Sequence, residues 1–170
     1  LERANLFLPH INDAMSRAGI VTPLAVAAFL ANVALESGQL SLLAEIWDPV
    51  KVPDQAQYET GRPRLGNTHQ GDGYKYRGRG ALQITGRGAY KAAGEVIGMD
   101  IEGNPDIVSS DPSSAMLTAA WYWMCGALRQ PGQRCSGKSL TPYAEAGNFL
   151  AVVRGINFGN PEAKGTPNGM

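Results

Sequence analysis

Two glutamates that follow the most apolar stretch of the chain, Glu36 and Glu45, are the residues best suited to acid–base chemistry. Residues 24–35 include one polar side chain, Asn32, and predict a buried helix that ends at Glu36. Burial and the negative end of the helix dipole both disfavour the anion, so we expect a raised pKa for Glu36. Glu45 follows beyond a glycine break at Gly38. Two carboxyl groups in unlike environments are the minimal machinery for splitting a glycosidic bond.

Other interpretations of these carboxylates stay open at this stage. A glutamate at a helix end is more often a surface group that faces water or pairs with an arginine, and position alone favours this for Glu36. Glu59 is the alternative to Glu45 as the second carboxylate, because it also precedes the glycine-rich centre of the chain.

The charge balance excludes one large class of partners. Among 170 residues, fifteen basic and fifteen acidic side chains cancel, so we do not expect nucleic acid as a partner. A basic segment nevertheless stands out in the middle: Arg62, Arg64, Lys75, Arg77, Arg79 and Arg87. This basic segment either meets an anionic polymer or pairs with carboxylates inside the fold.

The length of the chain fits one domain, residues 1–170, with a real core. No apolar run approaches the roughly 18 residues that suggest a membrane span. Residues 1–20 lack the basic start and apolar block of a signal peptide, and the chain begins with leucine. We therefore expect a processed or partial chain.

The two cysteines, Cys125 and Cys135, are separated by a loop with glycine and proline that lets the chain fold back. A disulfide, which would indicate an oxidising destination, and two free thiols both stay open. Two cysteines and two distant histidines do not make a zinc-binding set, and no cofactor is expected.

Helical patterns dominate both ends of the chain, and the centre differs. Predicted helices cover residues 9–18, 23–37, 90–97, 112–125 and 144–154. Residues 48–88 are rich in proline and glycine, and the segment 74–85 alternates aromatic and basic residues as a strand or hairpin does. The sequence thus predicts a mostly helical domain with a glycine-rich segment that forms one wall of a cleft.

The segment 66–86, GNTHQGDGYKYRGRGALQITG, resembles the signature of glycoside hydrolase family 19, which includes chitinases, phage endolysins and bacterial peptidoglycan hydrolases. Residues 34–38, 121–123 and 153–157 are similar, in order, to further family segments. The resemblance spans about residues 20 to 168. It implies a mainly α, lysozyme-like, two-lobed catalytic domain with a small glycine-rich β/loop segment as one cleft wall.

The resemblance also implies roles for individual residues. Glu36 would be the general acid and Glu45 the general base, with Thr85 helping to hold the attacking water. The family inverts the anomeric carbon, so the two carboxyl groups should lie roughly 6.5–9.5 Å apart. Gln83, Tyr90 and Asn157 match positions that contact substrate.

The residues beside the central glycines suggest further contacts. Tyr74 and Tyr76 are candidates for the cleft wall, because they lie in a loop-rich segment. Arg79 is predicted to pair with Glu45 and lower its pKa, which helps a base. In the aromatic run from Trp121 to Trp123, neighbouring side chains of a helix diverge, so core packing is expected for most of them.

Three departures from the family pattern favour its peptidoglycan-cleaving branch over true chitinases. Leu35 stands where many members have histidine, Ala89 replaces an asparagine, and Phe158-Gly159 replaces a double glycine. Relatives also often continue past Met170 into another helix.

We therefore expect an inverting hydrolase of β-1,4 glycosidic bonds in bacterial peptidoglycan. A chitinase, a lytic transglycosylase that uses Glu36 alone, and a non-catalytic glycan-binding wall module are the alternatives. The enzyme would act as a monomer at the bacterial cell wall or periplasm, released by a phage or delivered by a secretion system. If it is an injected toxin, an immunity protein would plug the cleft.

Overall fold

A computed structural model of the protein describes residues 2–59, 63–126 and 134–167. These residues are mainly helical, and their helices in chain order are α1 Glu2–Arg17, α2 Pro23–Glu36, α3 Pro53–Ala56, α4 Asp72–Lys75, α5 Arg87–Ile97, α6 Ile107–Ser110, α7 Pro112–Cys125, α8 Thr141–Glu145 and α9 Phe149–Phe158. A 3₁₀ turn covers Pro63–Leu65. In the described ranges, β-pairing is limited to two isolated bridges, Ala44 with Arg79 and Arg79 with Ile84.

Two helices begin where the sequence predicts. Helix α7 starts after Asp111, whose side chain accepts a hydrogen bond of 2.7 Å from the backbone N–H of Ser114. Helix α2 starts at Pro23, but the hydroxyl of Thr22 donates to Glu145 on α8 instead of capping α2. Proline at the first helical position has no N–H to leave unpaired, and its fixed φ suits the start of a helix.

The strand or hairpin predicted over residues 74–85 is reduced to single antiparallel bridges, because Arg79 pairs with Ile84 and with Ala44 but no ladder extends from them. Helix α4 occupies the start of the segment, and a turn with Gly80 and Gln83 at positive φ joins the two bridged residues. Left-handed residues interrupt the extended backbone that a strand ladder requires. The predicted helix at 144–154 is also divided, because α8 ends before Gly147 at φ +69° and Asn148 caps α9.

Two apolar clusters divide the core. The first joins α1, α2, α7 and α9 and contains Phe7, Phe29, Met116, Trp123 and Val152. The second lies under the glycine-rich segment and contains Tyr76, Ile84, Tyr90, Ile101 and Trp121. Helix α7 contributes to both clusters, and it therefore forms the common wall of two lobes.

Helix α7 ends in the described disulfide. Cys125, its last residue, is bonded to Cys135, with 4.7 Å between the two Cα atoms. Of the two alternatives left open by the sequence, a disulfide or two free thiols, the structure has the disulfide. In the three described ranges, none of the helices has both the length and the apolar character needed to cross a bilayer.

Candidate active site

A cleft of about 520 Å³ lies where the two lobes meet. Its lining includes Glu36, Tyr58, Gln83, Thr85, Tyr122 and Asn157. Helices α2, α7 and α9 and the glycine-rich segment thus each contribute to one site. Trp121 lies mostly in the core, as expected, while Tyr122 faces the cleft.

Glu36 is the last residue of α2 and is half-buried in the cleft. Burial raises the pKa of the Glu36 carboxyl, and the amide of Asn157, which donates to its Oε1 at 3.1 Å, offsets part of that rise. The next residue fixes the helix end: the hydroxyl of Ser37 donates to the carbonyl of Val33 and accepts from the N–H of Leu40.

Tyr122 on α7 completes the surroundings of Glu36. Burial, together with the negative charge of Glu36, raises the pKa of Tyr122 to about 12. Its hydroxyl donates to the carbonyl of Ile156 at 3.0 Å, next to Asn157. This hydroxyl therefore stays protonated and ties α7 to the segment that supplies the Asn157 amide.

Glu45 lies in the loop after α2, in surroundings rich in donors. Its Oε1 accepts from the amide of Gln55 at 2.9 Å and from the hydroxyl of Tyr58 at 3.4 Å. Its Oε2 accepts from the N–H of Gly78 at 3.0 Å. An ionised carboxylate only accepts hydrogen bonds, so it satisfies all three donors at once.

Gly78 is needed for this arrangement. A Cβ at this position would lie 2.8 Å from Oε1 of Gln83 and 3.3 Å from Oε2 of Glu45. The backbone of Gly78 also accepts a hydrogen bond of 2.8 Å from the N–H of Glu45. Only a residue without a side chain lets the loop, the carboxylate and the Gln83 amide approach each other this closely.

Gln83 and Thr85 connect the Glu45 side to the cleft. The amide of Gln83 donates to the carbonyl of Gly80 at 2.8 Å, and the hydroxyl of Thr85 donates to the carbonyl of Gln83 at 3.0 Å. Both residues line the cleft, and their roles in positioning sugar and water stay predictions. Glu36, Gln83, Thr85 and Asn157 are thus brought together, and Glu45 adjoins them through Tyr58 and Gly78.

Comparison with known proteins identifies the family that has this arrangement. The family model described as chitinase class I matches residues 54–143, more than half of the chain. A Haemophilus influenzae protein with a glycosyl hydrolase family 19 domain is 33% identical over 158 positions, covering 74% of this chain and 78% of its own. This chain belongs to glycoside hydrolase family 19.

Solved structures of family 19 members share the fold. A bacterial family 19 chitinase has a TM-score of 0.64 at 28% identity and covers 95% of this chain and 77% of its own. A class IV chitinase from Zea mays has a TM-score of 0.61 at 27% identity and covers 91% and 67%. The predicted mainly α, lysozyme-like fold and the predicted enzyme class, glycoside hydrolase, are confirmed.

Local matches to plant family 19 enzymes are shorter. Chitinase 8 of Oryza sativa subsp. japonica is 46% identical over 56 residues, which cover 33% of this chain and 22% of the relative. This chain therefore spans about a fifth of that relative's length.

One predicted contact of this family 19 protein is wrong. Arg79 does not pair with Glu45; it is buried, and its Nη2 donates to Asp106 at 2.6 Å. Its Nη1 donates to the carbonyl of Lys75 at 2.8 Å and to the hydroxyl of Tyr90 at 3.1 Å. A buried guanidinium needs several acceptors, and Arg79 finds them behind the cleft wall rather than in the cleft.

Tyr76 and Tyr90 are also misplaced by the prediction, because both are fully buried in the second apolar cluster. The hydroxyl of Tyr76 donates to the carbonyl of Glu102, and that of Tyr90 donates to the carbonyl of Arg77 at 2.7 Å. Burial raises the pKa of Tyr90 to about 12. Both residues support the cleft wall from behind and are corrected from substrate contacts to packing residues.

Tyr74, predicted as a residue of the cleft wall, has 53% of its surface exposed. It lies on the rim beside Trp47 rather than among the residues that line the cleft. Glu59, the alternative second carboxylate, accepts a hydrogen bond from the N–H of Gly71 at 3.0 Å and packs against Gly73. It therefore fixes the loop before α4.

Two members of the basic segment, Arg79 and Arg87, pair with carboxylates inside the fold. Arg87 contacts Asp72 at 2.7 Å and Glu102 at 3.1 Å. Burial alone would raise the pKa of Asp72, but the bonds from Arg87 and from the N–H groups of Thr68 and His69 hold that pKa well below its usual range. Arg64 lines the cleft, and Arg62 falls outside the described residues.

Two residues that bind Glu45 could not be predicted from the sequence. Gln55 and Tyr58 hold Glu45, yet they are ordinary polar residues of a loop and a short helix. Nothing in their spacing from Glu45 indicates the contact. Only the fold of the loop that carries them brings them to the carboxylate.

Proposed function

We propose that this family 19 protein hydrolyses β-1,4 glycosidic bonds of bacterial peptidoglycan by a single displacement that inverts the anomeric carbon. The observation that carries the proposal is the contrast between its two carboxyl groups. Burial raises the pKa of Glu36, while three hydrogen-bond donors surround Glu45. Such a contrast assigns one group as acid and the other as base.

In the proposed reaction, Glu36 donates its proton to the glycosidic oxygen as the bond to the anomeric carbon breaks. Glu45 accepts a proton from a water molecule, whose oxygen bonds to the opposite face of that carbon. Thr85 and Gln83 line the cleft together with Glu36, and Gln83 lies beside Gly78, which binds Glu45. A hydroxyl and an amide at these positions can hold the water. After the products leave, the two glutamates exchange a proton with solvent.

Peptidoglycan is proposed as the substrate because the cleft departs from the chitinase pattern. Ala89 leaves the wall without a polar side chain at one lining position, and Phe158 and Gly159 line the cleft beside Asn157. Leu35 is 53% exposed and gives Glu36 no polar partner. These differences alter the sugar contacts without removing the two carboxyl groups.

Chitin oligomers are the second candidate substrate. This alternative is favoured by the comparisons, since several matching relatives and solved structures are chitinases. The two substrates share β-1,4-linked N-acetylated sugars and differ in the lactyl ether and peptide that peptidoglycan carries. The chemistry proposed for Glu36 and Glu45 is the same for both.

Mass analysis of digested peptidoglycan tests the proposal, with chitin oligomers digested in parallel. We expect new reducing sugar ends from peptidoglycan and, by NMR during the reaction, the α-anomer as first product. Anhydro-sugar ends that persist in Glu45→Gln would identify a transglycosylase that uses Glu36 alone. Release from chitin oligomers and none from peptidoglycan would replace the proposed substrate with chitin.

The variant Glu36→Gln separates an enzyme from a binding module. We expect it to bind glycan like the parent and to release no ends. If the parent also binds and releases none, the module is the correct description.

The site of action follows from the substrate. A peptidoglycan hydrolase works at the bacterial cell wall or periplasm, and we propose that this one acts there as a monomer. A single peak at monomer mass in size-exclusion chromatography with light scattering would support the monomer. A protein that blocks the cleft would be expected only if the enzyme is an injected toxin.

A further inference from the structure

An aromatic row leads out of the cleft on the Glu45 side. Tyr58, which lines the cleft, has its ring 6.0 Å from that of Trp47, and Trp47 lies 5.7 Å from the ring of Tyr74. Trp47 is two residues after Glu45, so the row begins beside the proposed base. Aromatic rings of this kind offer rigid apolar area beside polar edges, which suits a sugar ring.

The side chain of Arg77 ends this row in a fixed position. Its guanidinium carbon lies 4.3 Å from the centre of the Tyr74 ring. Its Nη1 donates to the carbonyl of Tyr74 at 3.0 Å, and its Nε donates to the carbonyl of Glu45 at 3.3 Å. The cation–π contact and the two hydrogen bonds hold the planar group on the rim.

Arg77 differs from its neighbours in charge pairing. Arg79 is paired with Asp106, and Arg87 is paired with Asp72 and Glu102. Within the ranges that the structure describes, no carboxylate lies within ion-pair distance of Arg77. Its charge is thus available to a ligand, and an oriented guanidinium binds carboxylates with little further loss of side-chain freedom.

We propose that Trp47, Tyr74 and Arg77 form a rim subsite that binds a sugar carrying a carboxylate. The substrate class rests on the proposed function, because peptidoglycan has carboxylates on its lactyl groups and stem peptides, whereas chitin has none. Trp47 and Tyr74 would contact the sugar ring, and Arg77 would contact the carboxylate. The subsite would therefore determine specificity within a cleft whose catalytic groups act on either polymer.

Binding measured by calorimetry tests the subsite without requiring turnover. All proteins carry Glu36→Gln, and the ligands are chitin oligomers, glycan strands freed of peptide, and strands that keep their stem peptides. We expect Arg77→Gln to weaken binding of a carboxylate-bearing strand about tenfold. Binding of chitin oligomers should change less than about twofold, since a neutral sugar makes no charge-assisted bond.

The peptide-free and the peptide-bearing strands distinguish the two sources of the carboxylate. Weaker binding of peptide-free strands would assign the lactyl group, and a loss confined to peptide-bearing strands would assign the stem peptide. Lys91→Gln is the matched control, because it removes one exposed positive charge from α5 at a groove away from the cleft. Arg77→Lys keeps the charge but not the planar fork, so partial binding is expected.

Two results would overturn the subsite. Equal losses for chitin oligomers and anionic strands in Arg77→Gln would mean that Arg77 acts only by positioning Glu45. Unchanged binding of all three ligands in Trp47→Ala, with an unaltered melting temperature, would exclude the aromatic row.

The proposed function fails separately from the subsite. If the parent protein releases no ends from peptidoglycan while Arg77 still determines strand binding, the proposed substrate of cleavage is wrong and the subsite stands. If the parent cleaves peptidoglycan and strand binding does not depend on Arg77, the subsite is wrong and the proposed function stands.

Discussion

The two glutamates of the candidate site are held in opposite ways, since Glu36 lines the cleft and Glu45 adjoins it through Tyr58 and Gly78. Glu36 ends an apolar helix, is half-buried, and receives one described side-chain hydrogen bond, from Asn157. Glu45 lies in a loop and receives bonds from Gln55, Tyr58 and Gly78. The difference teaches that the same side chain acquires a role from desolvation on one side and from donors on the other.

The two environments also differ in how they are built. The surroundings of Glu36 come mainly from secondary structure, since a helix of Leu, Ala, Val and Phe places its last residue among apolar groups. The surroundings of Glu45 depend on a close backbone approach that Gly78 permits. A change in one side should therefore leave the other side largely intact.

Removal of either carboxyl group should have the largest effect. We expect Glu36→Gln and Glu45→Gln each to lower kcat by about 10²–10⁴, because the first variant lacks the general acid and the second lacks the general base. Turnover of the proposed glycan substrates by the purified variants measures this. If Glu45→Gln keeps most of the activity, the assignment of Glu45 as the general base is wrong.

Rescue by a small carboxylate in solution tests the roles of the two glutamates separately. Glu45→Ala leaves space beside Gly78 and the cleft, so added formate should restore part of its activity as an external base. Glu36→Ala should gain nothing from formate, because an external anion cannot supply the proton that the leaving oxygen needs. Rescue of both variants to the same extent would contradict the assigned roles.

Loss of one donor should have a smaller effect. Gln55→Leu keeps the volume of a buried side chain but removes the bonds to Glu45 and to the carbonyl of Ile46, so we expect kcat to fall about tenfold. Gln57→Leu, at an exposed position on the same turn, is the control and should match the parent. Equal kcat values for all three proteins would show that Glu45 does not depend on the Gln55 donor.

Loss of the Asn157 amide should change the pKa of Glu36. Its hydrogen bond lowers the pKa of Glu36 against the larger effect of burial, so Asn157→Leu should raise that pKa further. The acid must be protonated, and the alkaline limb of the kcat–pH profile should therefore move to higher pH. The acid limb should stay in place, and movement of both limbs together would contradict a specific effect on Glu36.

The smallest effect concerns stability. The folded pKa of Glu36 lies above its unfolded value, so its contribution is fully present below the unfolded pKa and is lost as pH rises through the folded pKa. Above that range, Glu36→Gln should melt higher than the parent by about 1–2 °C, since solvent screens a half-exposed group. The parent and Glu36→Gln should have the same melting temperature at pH 4.

The outcome for the arginines shows why part of the site could not be predicted. The contact between Arg79 and Glu45 was predicted because an arginine lowers the pKa of a carboxylate, which helps a base. Arg79 pairs with Asp106 instead, and Arg77 reaches the Glu45 backbone. Neighbouring side chains point to different faces of the wall. Which face is the cleft depends on how the turns at 76–86 fold.

The sequence by itself determined that both ends of the chain are helical, although α1 begins at Glu2 rather than at residue 9 and the last predicted helix is divided. It also determined the position of Glu36 at the end of an apolar helix and the family signature around Gly78. These are local properties: hydrophobic period, proline at helix starts and glycine at a close approach. The tertiary structure alone decided that Asn157 meets Glu36 across 121 residues, and that Tyr76 and Tyr90 pack behind the wall. Such contacts join elements far apart in sequence, and no local pattern specifies which distant partner fills the space beside a given side chain.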